Sequence, residues 1–273
     1  MIQFEKYQGL GNDFIIPIGQ IPPSLLPISI DNPLSQAQAK IWSKLCDRRY
    51  GIGADGVLLK VEDATGNVGM QIVNQDGSQA EMCGNGLRCM ALHLSRQSLC
   101  GETKFDVHTL AGIMKTQLTA QGVQCHMGEA DVKPLMSIIV DGKEIEGYFV
   151  STGNPHFVIF EAFDDDDRHL FAERICTHPA FVNGVNVSFA AIESQDTIVL
   201  NVFERGCGWT KACGTAATAT VAAYWVDQNR LNRATQVTLP GGPLQISGTL
   251  NDMIMIGEAT FVFEGRYSLT LGH

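Results

Sequence analysis

The chain has 273 residues, 45% of them hydrophobic and 18% charged, with a formal net charge of −10 at pH 7 and a pI near 5.1. Because a nucleic-acid surface needs a basic face, this acidic balance favours a small-molecule substrate and no nucleic-acid partner. No stretch approaches the roughly 20 apolar residues of a membrane helix, and the N-terminus lacks a secretory signal, so we expect a cytoplasmic protein with no membrane partner.

Residues 1–18 read as two strands around a glycine loop that contains Asn12. The four prolines between residues 19 and 33 predict an irregular surface segment, and Ser35 is then a suitable N-cap for a helix through Leu45. Period-two apolar residues, typical of a strand, lead up to Asn74, after which an Asp-Gly pair indicates a turn.

The stretch NQDGSQAEMCGNGLRC, residues 74–89, combines a turn, a cysteine and the start of a helix. After Cys83 the apolar residues recur at spacings of three and four, so this cysteine should lie at a helix N-terminus. Gly84 and Asn85 follow it, and their backbone N–H groups would face a ligand at the positive end of the helix dipole. One thiol and a row of amides are therefore expected in one small site.

The same plan occurs a second time around Cys213, in ERGCGWTKACGT, where Gly214 and Thr215 begin an apolar helix through Val226. The strings GLGNDF and TGNPHF likewise repeat a Gly-Asn before a strand-like run, which indicates an internal repeat. A helix that is apolar on every side must be surrounded. We therefore predict an α/β (α+β) fold of two pseudo-symmetric domains, each a curved, mainly antiparallel sheet or barrel around a central helix, with the active site in the cleft between them.

The chain carries eight cysteines, at positions 46, 83, 89, 100, 125, 176, 207 and 213. No two are spaced as C-x2-C, and the two C-x5-C pairs do not match the usual spacing of zinc ligands, so we expect no metal site. In a cytoplasmic chain of this size the thiols should stay reduced, which leaves some of them available as bases or nucleophiles.

Two thiols at helix N-termini suit the inversion of a carbon, which needs a base on one face and an acid on the other. A helix N-terminus contributes about 0.3–1 kcal/mol, up to ~2 kcal/mol when partly buried, and one pKa unit is about 1.4 kcal/mol. The dipole alone should therefore lower the pKa of Cys83 and Cys213 by roughly one unit from about 8.5. His156 and Glu204 are candidate helpers. Alternatively, His156 is a hydrogen-bonded structural residue, and Glu204 with Arg205 is an ordinary ion pair.

The sequence contains no cofactor motif, so no cofactor is expected. The amides at the two helix N-termini would then have to hold the α-carboxylate of the substrate while negative charge spreads into it. A glycine after each cysteine lets a substrate approach those amides closely.

The strings GLGNDF, NQDGSQAEMCGNGLRC, GNPHFV, GVNVSF and FERGCGWTKACGT, in this order, resemble the diaminopimelate epimerase family over essentially the whole chain. The resemblance implies a cofactor-independent epimerase that interconverts LL- and meso-diaminopimelate in lysine and peptidoglycan precursor biosynthesis. It also implies a homodimer and a last segment that returns to the first domain. We accordingly place the N-terminal domain at residues 1–116 with 265–273, and the C-terminal domain at residues 117–264.

By the same resemblance, Cys83 and Cys213 are the acid/base pair, assisted by His156 and Glu204. The implied substrate contacts are the side chains of Asn12, Asn74, Asn154, Asn186, Glu204 and Arg205 and the amides at Gly84, Asn85, Gly214 and Thr215. Asparagine can both donate and accept, which suits a zwitterionic diacid, and Arg205 could grip the distal carboxylate with two bonds. Three positions depart from the family pattern: Gly56 stands where Gln is common, Trp209 where Glu is frequent, and Ala216 where Gly is common.

Several other readings stay open. Proline racemases share the two-thiol logic, but their first cysteine is typically followed by Gly-His rather than Gly-Asn, and the phenazine-type isomerases of similar fold lack the cysteine pair. A thiol redox protein or a metal-binding module would leave His156, Arg205 and the asparagines without a purpose. A non-catalytic binding module would require that one thiol be unreactive.

Overall fold

A computed structural model describes residues 1–63, 65–98 and 100–268. The strands are β1 Ile2–Gly9, β2 Asn12–Ile18, β3 Gly56–Glu62, β4 Val68–Asn74, β5 Gln79–Ala80, β6 Lys104–Thr109, β7 Gly112–Thr119, β8 Gly122–Gly128, β9 Asp131–Val140, β10 Lys143–Ser151, β11 Pro155–Ile159, β12 Asn186–Ser194, β13 Thr197–Glu204, β14 Gly208–Thr210, β15 Thr235–Leu239, β16 Gly242–Thr249, β17 Asp252–Gly257 and β18 Thr260–Tyr267. The α-helices are α1 Gln36–Ser43, α2 Gly84–Gln97, α3 Asp165–Cys176 and α4 Gly214–Asp227. The predicted mixed α+β class is confirmed.

The chain divides into two compact units. One comprises Met1–Cys125 together with the segment that starts at Gly257, and the other comprises His126–Ile256. The boundaries placed from the sequence, after residue 116 and before residue 265, fall inside β7 and β18. Residues 269–273, assigned above to the first domain, lie outside the described residues.

The two units repeat one order of strand pairing. In the first unit β1–β2 is antiparallel, β2–β3 parallel, β3–β4 antiparallel, β4–β6 parallel and β6–β7 antiparallel. In the second unit β10–β11, β11–β12, β12–β13, β13–β15 and β15–β16 pair with the same succession of directions. The internal repeat predicted from the sequence is therefore present as a repeated, mainly antiparallel topology.

Each unit packs its strands around one 14-residue helix. In the first unit α2 contacts β1, β2, β3, β4, β6, β7 and β18, and in the second unit α4 contacts β9, β10, β11, β12, β15 and β16. Every residue of α4 from Ala216 to Trp225 is buried, and exposure returns only at Val226. The expectation that an all-apolar helix must be surrounded is confirmed, and the small side chains on α4 allow strands to approach it closely.

Local sequence signals also behave as predicted. Ser35 caps α1 through a capping box: its hydroxyl accepts from the Gln38 N–H at 3.3 Å, and the Gln38 side chain accepts from the Ser35 N–H at 2.9 Å. The proline-rich segment contains only a short 3-10 turn, Pro23–Leu25. Within the described part of the chain, no helix has the length and apolarity needed to cross a membrane.

Three thiols of the first unit, those of Cys46, Cys89 and Cys125, are fully buried. Burial raises the pKa of each thiol to about 12, because the thiolate would lose its hydration. The folded protein therefore keeps these protons at a pH where the unfolded chain releases them, so stability is complete below about pH 8 and falls as the pH rises towards 12.

We expect the free energy of unfolding of the Cys46→Ala variant to depend less on alkaline pH than that of the parent protein. Between pH 8 and pH 10 each buried thiol should lower the free energy of unfolding by about 1–2 kcal/mol. Because Cys46→Ala lacks one of these thiols, its free energy of unfolding should fall by about 1–2 kcal/mol less than that of the parent protein. Urea unfolding at the two pH values measures the difference, with Cys100→Ala, an exposed cysteine, as the matched control. Equal losses in all three proteins would contradict the argument.

Candidate functional site

Cys83 is the N-cap of α2, as predicted. Its backbone is extended, with φ −144° and ψ 117°, and its Sγ accepts from the N–H of Gly86 at 3.5 Å. Gly84 and Asn85 are the first two residues of the helix, where backbone N–H groups have no partner within the helix. A thiolate at Cys83 would thus be stabilised by an amide donor and by the helix dipole.

Asn12 and Asn85 lie beside this thiol. The Oδ1 atom of Asn12 is 3.9 Å from Cys83 Sγ and accepts from Asn85 Nδ2 at 3.1 Å. The Nδ2 atom of Asn12 donates to Asp55 Oδ2 at 2.8 Å. The structure therefore brings together three of the residues predicted in the first repeat.

Two charged residues of this half-site were missed by the sequence analysis. Arg88 is completely buried and donates to Asn85 Oδ1 at 2.8 Å and to the carbonyl of Glu258 at 3.1 Å. Asp55 joins Asn12 from the loop before β3. A charged residue inside the apolar helical pattern of GNGLRCMAL was the available signal for Arg88, whereas nothing local distinguishes Asp55.

Asn74 is the last residue of β4 and pairs with Gly56 of β3. On its other side, Gly56 pairs with Phe14 of β2. Its Nδ2 donates to Ser78 Oγ at 2.9 Å in the Asp-Gly turn. The register therefore places Asn74 at the same edge of the sheet as the start of β2, which carries Asn12.

Cys213 is the N-cap of α4 with almost the same backbone conformation as Cys83, φ −134° and ψ 112°. Its Sγ donates to Glu204 Oε2 at 3.2 Å and lies 3.4 Å from Thr215 Oγ1. Burial raises the pKa of the Cys213 thiol well above its ordinary value, and the Glu204 carboxylate raises it further. The helix dipole alone was expected to lower this pKa by about a unit, but the net pKa is raised, because desolvation and a neighbouring negative charge outweigh the dipole.

Glu204 is held by Thr210, whose hydroxyl donates to Oε1 at 2.6 Å across the β13–β14 hairpin. Thr210 was not predicted from the sequence, since a side-chain contact across a hairpin has no local pattern. The alternative of an ordinary Glu204–Arg205 ion pair does not describe the geometry, because Glu204 bonds to Cys213 and Thr210 while Arg205 Nη1 donates to the carbonyl of Asn183 at 2.6 Å.

His156 belongs to the same half-site and is linked to Thr215, a neighbour of the Cys213 thiol, through Asn154. Its Nε2 lies 2.9 Å from Asn154 Oδ1, and Asn154 Nδ2 donates to Thr215 Oγ1 at 3.3 Å. Burial, together with a smaller effect of the positive charge of Arg205, lowers the pKa of His156 to about 3, so the imidazole is neutral. Glu204 is therefore the predicted helper that contacts Cys213, and His156 orients Asn154.

Asn186 enters β12 opposite His156 in the parallel pair β11–β12. Its Nδ2 donates to the carbonyl of Pro155 at 3.0 Å, and its Oδ1 accepts from the N–H of Arg205 at 2.9 Å. One amide thus ties the start of β11 to the end of β13. Arg205 itself is exposed, with its guanidinium beside the surface loop at Asn183.

The three departures from the family pattern have distinct surroundings. A Cβ on Gly56 would lie 2.9 Å from the carbonyl oxygen of Val73, so the strands leave little room for a side chain there. Trp209 packs against Phe203 and His169, on the face of the hairpin opposite Thr210. Ala216 is the third residue of α4 and is fully buried.

The chain matches one family of known proteins along its length. The diaminopimelate epimerase family model matches residues 4–133 and 148–262. The diaminopimelate epimerase of Desulfitobacterium hafniense is 38% identical over 285 residues, covering 97% of this chain and 97% of that protein. Diaminopimelate epimerase 1 of a Nostoc species is 37% identical over 290 residues, covering 97% of this chain and 99% of that protein.

Solved structures show the same fold at lower sequence identity. A probable proline racemase from Agrobacterium radiobacter superposes with a TM-score of 0.76 at 13% identity, over 99% of this chain and 94% of that one. A phenazine biosynthesis protein of the PhzF family from Bacillus anthracis gives a TM-score of 0.71 at 16% identity, over 97% and 98% of the two chains. These two structures share the fold of this chain, and the family is shown by the sequence: the chain belongs to the diaminopimelate epimerase family of enzymes.

Proposed function

We propose that this chain interconverts LL- and meso-2,6-diaminopimelate without a cofactor, as a cytoplasmic homodimer in lysine and peptidoglycan precursor biosynthesis. The observation that carries the proposal is the repeated cysteine: each unit has a thiol at the N-cap of its buried central helix, followed by glycine. Two relatives named diaminopimelate epimerase, similar over nearly the whole chain, support the choice of substrate.

The proposed chemistry is a two-base inversion at one α-carbon. In one direction the thiolate of Cys83 removes the α-proton and becomes a thiol, while the Cys213 thiol gives its proton to the opposite face and becomes a thiolate. The reverse reaction exchanges the two roles. The different surroundings support this starting state, since Cys83 accepts an amide N–H whereas Cys213 is held as a thiol that donates to Glu204.

The intermediate carbanion needs stabilisation, which backbone N–H groups at the two helix N-termini would supply. In the proposal, the amides of Gly84 and Asn85 and those of Gly214 and Thr215 bind the α-carboxylate as negative charge spreads into it. The side chains of Asn12, Asn74, Asn154 and Asn186, with Glu204 and Arg205, recognise the ammonium groups and the distal carboxylate. Neutral His156 keeps the Asn154 amide oriented.

We expect Cys83→Ala and Cys213→Ala each to lower turnover of LL-diaminopimelate by about a thousandfold or more, because each removes one proton-transfer group. Incubation in heavy water, with detection of deuterium at one α-carbon and of the meso product, measures this directly. Cys100→Ala, which changes an exposed thiol, should remain fully active.

Near-normal turnover by either variant would refute the two-base scheme. If the parent protein exchanges no deuterium into diaminopimelate, L-proline tested in the same assay distinguishes a racemase of the structurally similar class. A protein inactive on both substrates would favour the redox or binding-module reading.

We expect Glu204→Gln to lower kcat by about a hundredfold and to move the alkaline limb of the pH–rate profile to lower pH. The Glu204 carboxylate raises the pKa of Cys213, so its removal lets this thiol ionise at lower pH and lose its ability to act as an acid. Thr210→Val is the matched comparison, since it removes only the bond to Oε1 and should have a smaller effect. An unchanged profile in Glu204→Gln would contradict the role.

The proposal requires both sulfur atoms at one substrate carbon. A mild oxidant such as diamide should therefore join Cys83 and Cys213 in a disulfide, with two electrons and two protons passing to the oxidant, and should abolish activity until a reductant is added. Mass spectrometry of peptides identifies the linkage. Activity that persists after treatment, with both thiols unlinked, would count against a shared site.

A further inference from the structure

A line of side-chain hydrogen bonds passes the Cys83 thiol in the first unit. Arg88 Nη2 donates to Asn85 Oδ1 at 2.8 Å. Asn85 Nδ2 in turn donates to Asn12 Oδ1 at 3.1 Å, and Asn12 Nδ2 donates to Asp55 Oδ2 at 2.8 Å. Two asparagine amides are thus enclosed between a cation and an anion.

The charged ends fix the orientation of both amides. A guanidinium can only donate and an ionised carboxylate can only accept, whereas an amide could present either its oxygen or its NH2 group. Asn85 must turn its oxygen to Arg88, which leaves its NH2 for Asn12. Asn12 must turn its NH2 to Asp55. Both ends therefore require the same result, with the carbonyl oxygen of Asn12 towards Asn85 and Cys83.

The orientation of Asn12 determines which of its side-chain atoms faces the Cys83 thiol. Its Sγ lies 3.9 Å from the oxygen of Asn12 and 3.5 Å from the N–H of Gly86. An amide N–H stabilises the thiolate, and a carbonyl oxygen accepts from the S–H of the thiol. These two contacts suit the two protonation states of Cys83, as a group that alternates between base and acid requires.

We propose that Arg88 and Asp55 are positioning residues, which hold the Asn12 carbonyl oxygen towards Cys83, and that this oxygen stabilises the protonated form of the thiol. The positive charge of Arg88 acts directly in the opposite sense, because it favours the thiolate. The catalytic meaning of this inference rests on the proposed function, because Cys83 acts as an acid in one direction. Burial supports the argument: Arg88 and Asn85 are 0% and 2% exposed, and hydrogen bonds between shielded groups of this kind are strong.

Other charges near Asp55 largely balance one another. Arg48 donates to both Asp55 and Asp13, and Lys6 contacts Asp13 at 2.8 Å. Two cations thus stand beside two anions. Neutralising Asp55 leaves these four groups with a net positive charge and also releases the orientation of Asn12, so a change at Arg48 provides the test of charge alone.

The test measures alkylation of Cys83 by iodoacetamide against pH, without substrate, by mass spectrometry of its peptide. In Asp55→Asn the carboxylate that requires the NH2 group of Asn12 is gone, and only the Arg88–Asn85 end still holds the Asn12 oxygen towards Cys83, so an Asn12 N–H can turn to the sulfur in part of the molecules. The midpoint of the alkylation curve should then fall by about one pH unit, and kcat/KM at neutral pH should fall by about tenfold. Asp55 has a side chain 39% exposed, and the substitution preserves its shape, so the fold should persist.

Two controls accompany the variant. Arg48→Met removes a positive charge from beside Asp55 but keeps the hydrogen bond between Asp55 and Asn12. The midpoint of its alkylation curve should therefore stay within a small fraction of a pH unit of the parent value. Asp106→Asn, an exposed carboxylate on β6, should change neither the midpoint nor the turnover.

An unchanged or higher midpoint in Asp55→Asn overturns the inference. So does a shift in Arg48→Met of equal size and opposite sign, which would mean that charge alone acts. Because alkylation needs no substrate, this failure is distinct from failure of the proposed function, which would appear as turnover retained in Cys83→Ala.

Discussion

The N-terminus of a buried helix is the constraint on which both half-sites depend. The helices α2 and α4 are surrounded by strands, but their first N–H groups have no partner within the helix and must meet polar atoms. The strands of each unit therefore end where the helix begins, and the polar residues at those strand ends collect around the N-cap. A thiol at that position is placed among amides by the same packing that buries the rest of its helix.

One topology carries two different chemical environments. Both cysteines have extended backbone conformations at an N-cap, yet Cys83 is half-buried beside two asparagines, and Cys213 is 6% exposed and donates to a carboxylate. At Cys213, burial and the Glu204 carboxylate favour the protonated thiol and outweigh the helix dipole, which favours the thiolate. The repeat thus fixes where each sulfur lies relative to its helix, while the residues outside the repeated motif decide which proton it holds.

Features with a local cause were predictable from the sequence. Ser35 and Gln38 form a capping box in adjacent residues, and the change from alternating to helical spacing at Cys83 locates an N-cap. The apolar composition of α4 indicated its burial. The repeat of Gly-Asn and Cys-Gly strings predicted the repeated strand order, because each Gly-Asn string precedes a strand and each Cys-Gly string begins a helix.

Features that depend on distant partners were not predictable. The bond from Thr210 to Glu204 crosses a hairpin, and Asp55 meets Asn12 from a separate loop. The direction of the Cys213 pKa shift depends on how deeply the thiol is buried, which spacing does not reveal. The predicted domain boundaries fall inside β7 and β18 because strand composition does not change where one compact unit gives way to the next.

Gly56 limits which side chains the start of β3 can carry. The carbonyl oxygen of Val73 and the ring of Phe14 lie 2.9 Å and 3.5 Å from where a Cβ would be. A glutamine at this position would meet backbone rather than open space. It would be accepted only if the adjoining strand shifted, so the close pairing of β3 with β4 and the glycine at its end depend on each other.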